Sequence, residues 1–381
     1  MKRFLPVAWL LAVGCGSGTV EVPEDASADT STPVDTRLPE DRGPPPVDTS
    51  PPPVDSGVLE VPPPPEDVPP VDVTQDAPED RGAPSTDAAP AGPRDPPPLP
   101  RYSHGMCPRL VGAPTSDAAV NMGFRTGSQR RNFRLVVPRS YDGTSDWPVL
   151  FAYHWLNASS NSFVRTGELE SATEEMRFIA VVPDRLENDR GDRTYLFDWP
   201  FVETWGAEAE LTFFDDLLAC VGTQYRVDRR RVHAVGVSAG ALWVTYLSTT
   251  PRVNHLASVE SLSGGLGEQP PVWSMEWRPQ PNKFPAIVLW GGASDWLGLS
   301  FDQASRRYRD ALVRDRHFVV QCVHSMGHMV PPVDRPPEGG TRFRGLWQFL
   351  LDHPYGLAPG ASPYLTAGLP RSLPPWCSIV R

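Results

Sequence analysis

Between residues 16 and 100 there is no phenylalanine, tyrosine or tryptophan. That absence rules out an ordinary packed core over the stretch, because too little apolar area is available to offset the chain entropy of folding. The same stretch holds 23 of the chain's 46 prolines, and 18 Asp and Glu against 4 Lys and Arg. It reads as a disordered Pro/Asp-rich linker, with PPPVD at 44–48 and 51–55 and PPVDV at 69–73. At about 3.1 Å per residue in polyproline II, its reach is on the order of 200 Å. Its Pro-x-x-Pro spacings are read as incidental to a spacer.

A basic surplus is also missing. Residues 101–381 carry 29 basic and 28 acidic groups, so the negative charge belongs to the linker and the remainder is near neutral. Such a body gives no electrostatic reason to expect nucleic acid as a partner. No run of apolar residues at the N-terminus is long enough to span a bilayer. Phe4 to Val13 follows Lys2-Arg3 and reads as a signal-peptide core. LAVGC at 11–15 resembles a bacterial lipoprotein signal, which implies lipidation of Cys15. Residues 1–15 are then a signal segment, and the protein an exported lipoprotein of the outer membrane or cell surface, anchored through Cys15.

Cysteine is scarce, five in all. Setting Cys15 aside leaves Cys107, Cys220, Cys322 and Cys377, an even number that suggests two disulfides in an exported chain. Three pairings are possible. The expected one joins Cys107 to Cys377, stapling the ends of the folded region, and leaves Cys220 with Cys322. No His, Cys or Asp cluster has metal-ligand spacing, and His317, His324 and His328 fall on a strand and a loop, so neither metal nor cofactor is expected.

From Arg101 the aromatics return and the chain alternates strand and helix. Apolar runs at 133–138, 149–154, 178–183, 232–235, 285–290 and 317–323 read as strands. Residues 207–224, 242–247 and 341–353 have helical spacing. This alternation predicts one α/β domain over 101–381, a mainly parallel sheet flanked by helices.

GVSAG at 236–240 fits Gly-x-Ser-x-Gly, preceded by the strand at 232–235 and followed by a helix. That context suits a serine on a sharp strand-to-helix turn, with helix N–H groups facing a developing oxyanion. Ser238 is therefore the candidate nucleophile. A serine needs a base, and the base an orienting carboxylate. Asp295 follows the strand at 285–290, where ligand-facing groups collect. His328 lies in the loop Gly327 to Pro331, beyond the last of the predicted strands. His324, nearer that strand, reads as structural.

Taken together, His154, Asp215-Asp216, Asp228 to Val232, GVSAG, Gly292 to Asp295, Gly327 to Pro331 and FLLDHP at 349–354 give the region 101–381 a recognisable pattern. It resembles the polyhydroxybutyrate depolymerase and feruloyl/acetylxylan esterase family of α/β-hydrolases. The resemblance implies a Ser238–His328–Asp295 triad, and an oxyanion hole from the N–H of Ala239 and of the Trp155–Leu156 segment. Trp155 stands where the family has glycine after histidine, Ala241 where it has a second glycine, and Gly291 where its acid turn has histidine. Trp155, Trp199 and Trp296 are candidate substrate contacts, with core packing as the alternative for each.

The expected function is ester hydrolysis through an acyl-enzyme, on feruloyl or acetyl esters of polysaccharides, by a monomeric enzyme. Two alternatives are a polyhydroxyalkanoate or other polyester as substrate, and an inactive hydrolase-fold binding lipoprotein.

Overall fold

The computed structural model describes residues 94–202, 204–269 and 273–380. The signal segment, Cys15 and nearly all of the linker lie outside the described residues. Residues 94–100, assigned to the linker from composition, lie on the domain. Asp95 pairs with Arg230 at 2.7 Å, and Leu99 packs beside Gly222.

The strands are β1 (Val120–Thr126), β2 (Gln129–Val136), β3 (Trp147–Tyr153), β4 (Ile179–Pro183), β5 (Val227–Val237), β6 (Ser258–Leu262), a two-residue pair β7 (Glu268–Gln269) and β8 (Trp273–Ser274), then β9 (Ala286–Trp290), β10 (Val319–Val323) and β11 (Cys377–Ile379). Nine of them form one sheet in the order β1-β2-β4-β3-β5-β6-β9-β10-β11. From β4 through β10 all neighbours are parallel; β1, β2 and β11 add antiparallel margins.

Strands β3, β4 and β9 are apolar throughout because both faces are covered. In β3, Val149, Phe151 and Tyr153 join the core layer under α3 (Ala207–Gln224), α4 (Ala239–Ser248) and α5 (Phe301–Arg314). Leu150 and Ala152 point into the opposite layer, under α1 (Ser160–Thr166), α2 (Leu169–Met176) and α6 (Arg344–Asp352).

The disulfides differ from the expected pairing. Cys107 bonds to Cys220 on α3, and Cys322 on β10 bonds to Cys377 on β11. The reason is sheet register: Cys322 and Cys377 are directly opposed across an antiparallel pair, which leaves Cys107 to the helix. Cys377 is thus bonded within a sheet strand and not to Cys107.

Strand β6 escaped the sequence reading because SVESL carries three polar residues. All five are buried. Ser258 Oγ meets His233 Nδ1 at 2.9 Å, but neither carboxylate oxygen of Glu260 has a hydrogen-bond partner among the described residues. Burial pushes the Glu260 carboxyl well above its ordinary value, since a charge without a partner is unfavourable in an apolar interior.

A folded pKa raised above the unfolded one gives a contribution that is full below the unfolded value and is lost as pH rises toward the folded value. The stability of Glu260→Gln relative to wild type is expected to grow with pH above about 5. The limiting slope is about 1.4 kcal/mol per pH unit. Urea unfolding of both proteins at pH 5, 6 and 7 measures this; parallel curves would show that Glu260 is ionised in the fold.

Candidate active site

Strand β5 and helix α4 meet at Ser238 with no loop between them. Ser238 takes φ 54° and ψ −117°, a conformation that costs a side-chain-bearing residue about 1–3 kcal/mol and persists only where its surroundings over-determine it. Two glycines make the turn possible. A Cβ on Gly236 would lie 2.2 Å from the Gly240 carbonyl oxygen, and one on Gly240 would lie 2.2 Å from the Tyr153 oxygen and 2.6 Å from that of His154. The start of α4 therefore sits directly against the end of β3. The Ser238 N–H donates to the Leu262 carbonyl at 2.9 Å, fixing the turn from the β6 side.

Ser238 Oγ is 2.8 Å from His328 Nε2, and His328 Nδ1 is 2.6 Å from Asp295 Oδ1. Asp295 is fully buried and occupies the turn after β9. Its second oxygen accepts from the Gly291 N–H at 2.7 Å and from Ser263 Oγ at 2.8 Å. Burial alone would raise the Asp295 pKa. The hydrogen bonds from His328, Gly291 and Ser263 outweigh it and hold the carboxyl below its ordinary value. The imidazole is held from a second side by Phe301, whose ring stacks on it at 4.2 Å between centroids.

The turn carrying the acid and the loop carrying the base are stitched together. Gly327 N–H donates to the Gly291 carbonyl at 3.2 Å, and a Cβ on Gly291 would lie 2.0 Å from the Gly327 oxygen. No larger residue fits at 291 beside this loop. His324 takes another part. Its N–H donates to the Trp290 carbonyl at 3.1 Å, its Nδ1 accepts from the Met326 N–H at 3.2 Å, and burial lowers its pKa.

The Ala239 N–H lies at the N-terminus of α4, where the helix dipole and unpaired N–H groups favour negative charge. Trp155 and Leu156 follow β3 in the segment that abuts Gly240. Among the described residues, no acceptor takes the N–H of either. Arranged this way, the site offers a hydroxyl bonded to an imidazole, an imidazole bonded to a carboxylate, and a helix N-terminus that starts at the residue after the hydroxyl. That is the equipment for acyl transfer.

No family model matches the chain. It is similar to the oxidized polyvinyl alcohol hydrolase of Sphingopyxis sp. (strain 113P3), 26% identical over 187 residues, covering 39% of this chain and 49% of that protein. It is also similar to the probable feruloyl esterase C of Aspergillus terreus (strain NIH 2624 / FGSC A1156), 27% identical over 145 residues, covering 36% of this chain and 47% of that protein. The chain thus spans about half the length of these curated relatives. Among solved structures it resembles native sOPH (TM-score 0.55, 19% identity, 74% of this chain and 98% of that one) and native pOPH (TM-score 0.51, 18% identity, 68% and 94%). The fold is that of the α/β-hydrolases.

Within this fold, the three tryptophans singled out from sequence separate. Trp199 is fully buried, against Tyr153 and His154, so it packs the interior and offers no contact surface; this corrects its assignment as a substrate contact. Trp296, next to the acid, is 63% exposed. Trp155 is half-buried and lines a crevice of only about 20 Å3 with Phe163, Val237, Leu262 and Val330, room for roughly one water and not for an acyl chain.

Ser263, Phe301 and the Gly291 N–H were missed in the sequence. Ser263 was hidden by the unread strand β6, and Phe301 opens a helix to which no signal had been assigned. No group of His, Cys, Asp or Glu able to hold a metal occurs among the described residues.

Because the Gly240 contact is with backbone, it has little room to relax. Gly240→Ala is expected to cost at least ~3 kcal/mol, whereas Ala241→Gly, one residue further into the helix, costs about 1 kcal/mol. Denaturant midpoints of the two variants compare them directly; equal costs would mean that the turn yields.

Proposed function

We propose that this chain is a serine carboxylesterase in which Ser238 is the nucleophile, His328 the general base and Asp295 the residue that orients and charges the imidazole. The continuous hydrogen-bonded path from Ser238 Oγ through both ring nitrogens of His328 to Asp295 carries this reading. His328 Nε2 takes the Ser238 proton as Oγ adds to the ester carbonyl. The resulting oxyanion meets the N–H groups of Ala239 and of the Trp155–Leu156 segment. His328 then returns the proton to the leaving alcohol, the C–O bond breaks and an acyl-serine remains. Water, deprotonated by the same imidazole, releases the acid and restores Ser238.

The substrate is an ester carried on a polymer, with feruloyl or acetyl esters of polysaccharides as the first reading. The relatives include a protein named as a feruloyl esterase. One observation favours a second reading, a polyester. Trp296, Met326 and Met329 stand exposed beside the acid and on both sides of the base, and a rim of this kind suits an apolar surface or chain. The tiny crevice beside Trp155 agrees with either, since it leaves no deep acyl tunnel there. The protein is exported and held at the membrane through acyl chains on Cys15. Its two disulfides fit an oxidising compartment.

Wild type is expected to hydrolyse p-nitrophenyl acetate. Ser238→Ala should lose at least about a thousandfold in turnover, and Asp295→Asn about ten-thousandfold, through the wrong imidazole tautomer. Equal activity of wild type and Ser238→Ala would sink the proposal and favour a binding protein with a hydrolase fold. Ferulate or acetate released from plant polymer, against hydroxy acid released from polyester film, separates the two substrate readings.

A further inference from the structure

The segment that follows β3, His154 to Asn157, is not held by a regular element. It is held by Asp198 and its neighbours in the loop between β4 and α3. The Asn157 N–H donates to Asp198 Oδ2 at 2.7 Å. Asp198 Oδ1 lies 3.7 Å from an Arg185 guanidinium nitrogen. The next residue, Trp199, donates its indole N–H to the His154 carbonyl at 2.9 Å. The Arg185 N–H reaches His154 Nε2 at 3.3 Å, while His154 Nδ1 bonds the Trp155 carbonyl at 2.9 Å. Asp198, Trp199 and His154 are all fully buried.

The backbone at both ends of the central contact is left-handed, φ 62° at Asn157 and 68° at Asp198. Asn and Asp are the side-chain-bearing residues that adopt this conformation most readily, which suits them to a tight cross-loop contact. Two of the contacts bracket Trp155 and Leu156, whose N–H groups have no acceptor among the described residues. A buried carboxylate is costly unless it is paired and hydrogen-bonded. This one spends its bonding on the backbone of a four-residue segment and on Arg185.

We propose that Asp198 is a positioning residue for the oxyanion hole: by fixing the Asn157 N–H it sets the direction of the Trp155 and Leu156 N–H groups toward Ser238. The inference rests on the esterase reading, and Asp198 touches no reacting atom.

The test compares Asp198→Ala and Asp198→Asn with wild type. The asparagine oxygen still accepts from the Asn157 N–H, so Asp198→Asn should keep turnover within about fivefold. Asp198→Ala should lower kcat for p-nitrophenyl acetate about 10- to 100-fold, with KM moved less than about threefold, as expected when a transition-state interaction is lost. Affinity for a phenylboronic acid, whose serine adduct places an oxyanion, should fall in parallel. Amide hydrogen exchange of residues 155–157 in the alanine variant should rise at least tenfold while that of β5 and β9 stays unchanged.

Unchanged exchange at 155–157, or raised exchange with unchanged kcat in an active enzyme, would overturn the inference. So would equal loss in both variants. If wild type itself proves inactive, the esterase reading fails. Faster exchange at 155–157 in Asp198→Ala alone would then still support the positioning of the segment, and unchanged exchange would overturn it.

Discussion

Everything at the site depends on how closely the first turn of α4 approaches the end of β3. Gly240 lies against the Tyr153 and His154 carbonyls with no space for a side chain, and Gly236 lies against Gly240 in the same way. This contact forces Ser238 into a conformation that an isolated chain would avoid, with its hydroxyl on the side where His328 arrives. It also brings the Trp155–Leu156 segment beside the helix start. One steric fact thus places Ser238, the start of α4 and the segment after β3 together. The acid and base then need only reach that point, and a second close glycine contact, between 291 and 327, delivers them as a unit.

The electrostatics follow from burial. The Asp295 carboxyl is held below its ordinary pKa in the interior because three donors converge on it, the His328 ring among them. Glu260, equally buried and two strand positions before Leu262, meets no donor among the described residues, and burial pushes its carboxyl well above the ordinary value. The same side-chain chemistry is thus shifted in opposite directions, according to the hydrogen-bond donors each carboxyl meets.

Much of this was legible in the sequence. Helix α3 has the limits that its apolar spacing gave, 207–224, and the parallel strands other than β6 stand where runs of Val, Ile, Leu and Phe mark them. Ser238, Asp295 and His328 were each found from local context, and they are brought within hydrogen-bonding distance. What was not legible depended on tertiary partners. Strand β6 hides behind Ser258, Glu260 and Ser261, polar residues buried by strands on both sides. The cysteine pairing turned on a three-residue strand at the end of the chain, too short to carry a periodic signal. The role of Trp199 depended on a carbonyl 45 residues earlier. Helix α5 does carry a readable pattern, with Phe301, Ala304, Tyr308, Ala311 and Leu312 buried on one face, but its many arginines mask it.

The closing strand β11 has a further consequence. It covers the outer edge of β10, where a row of unpaired backbone groups would otherwise invite another chain, and the Cys322–Cys377 bond locks it there. The loop bearing His328 leaves the sheet after Val323, one residue beyond the bridged Cys322. The Cys322–Cys377 bond therefore secures the sheet margin from which the His328 loop departs, together with the strand that shields β10 from edge-to-edge pairing.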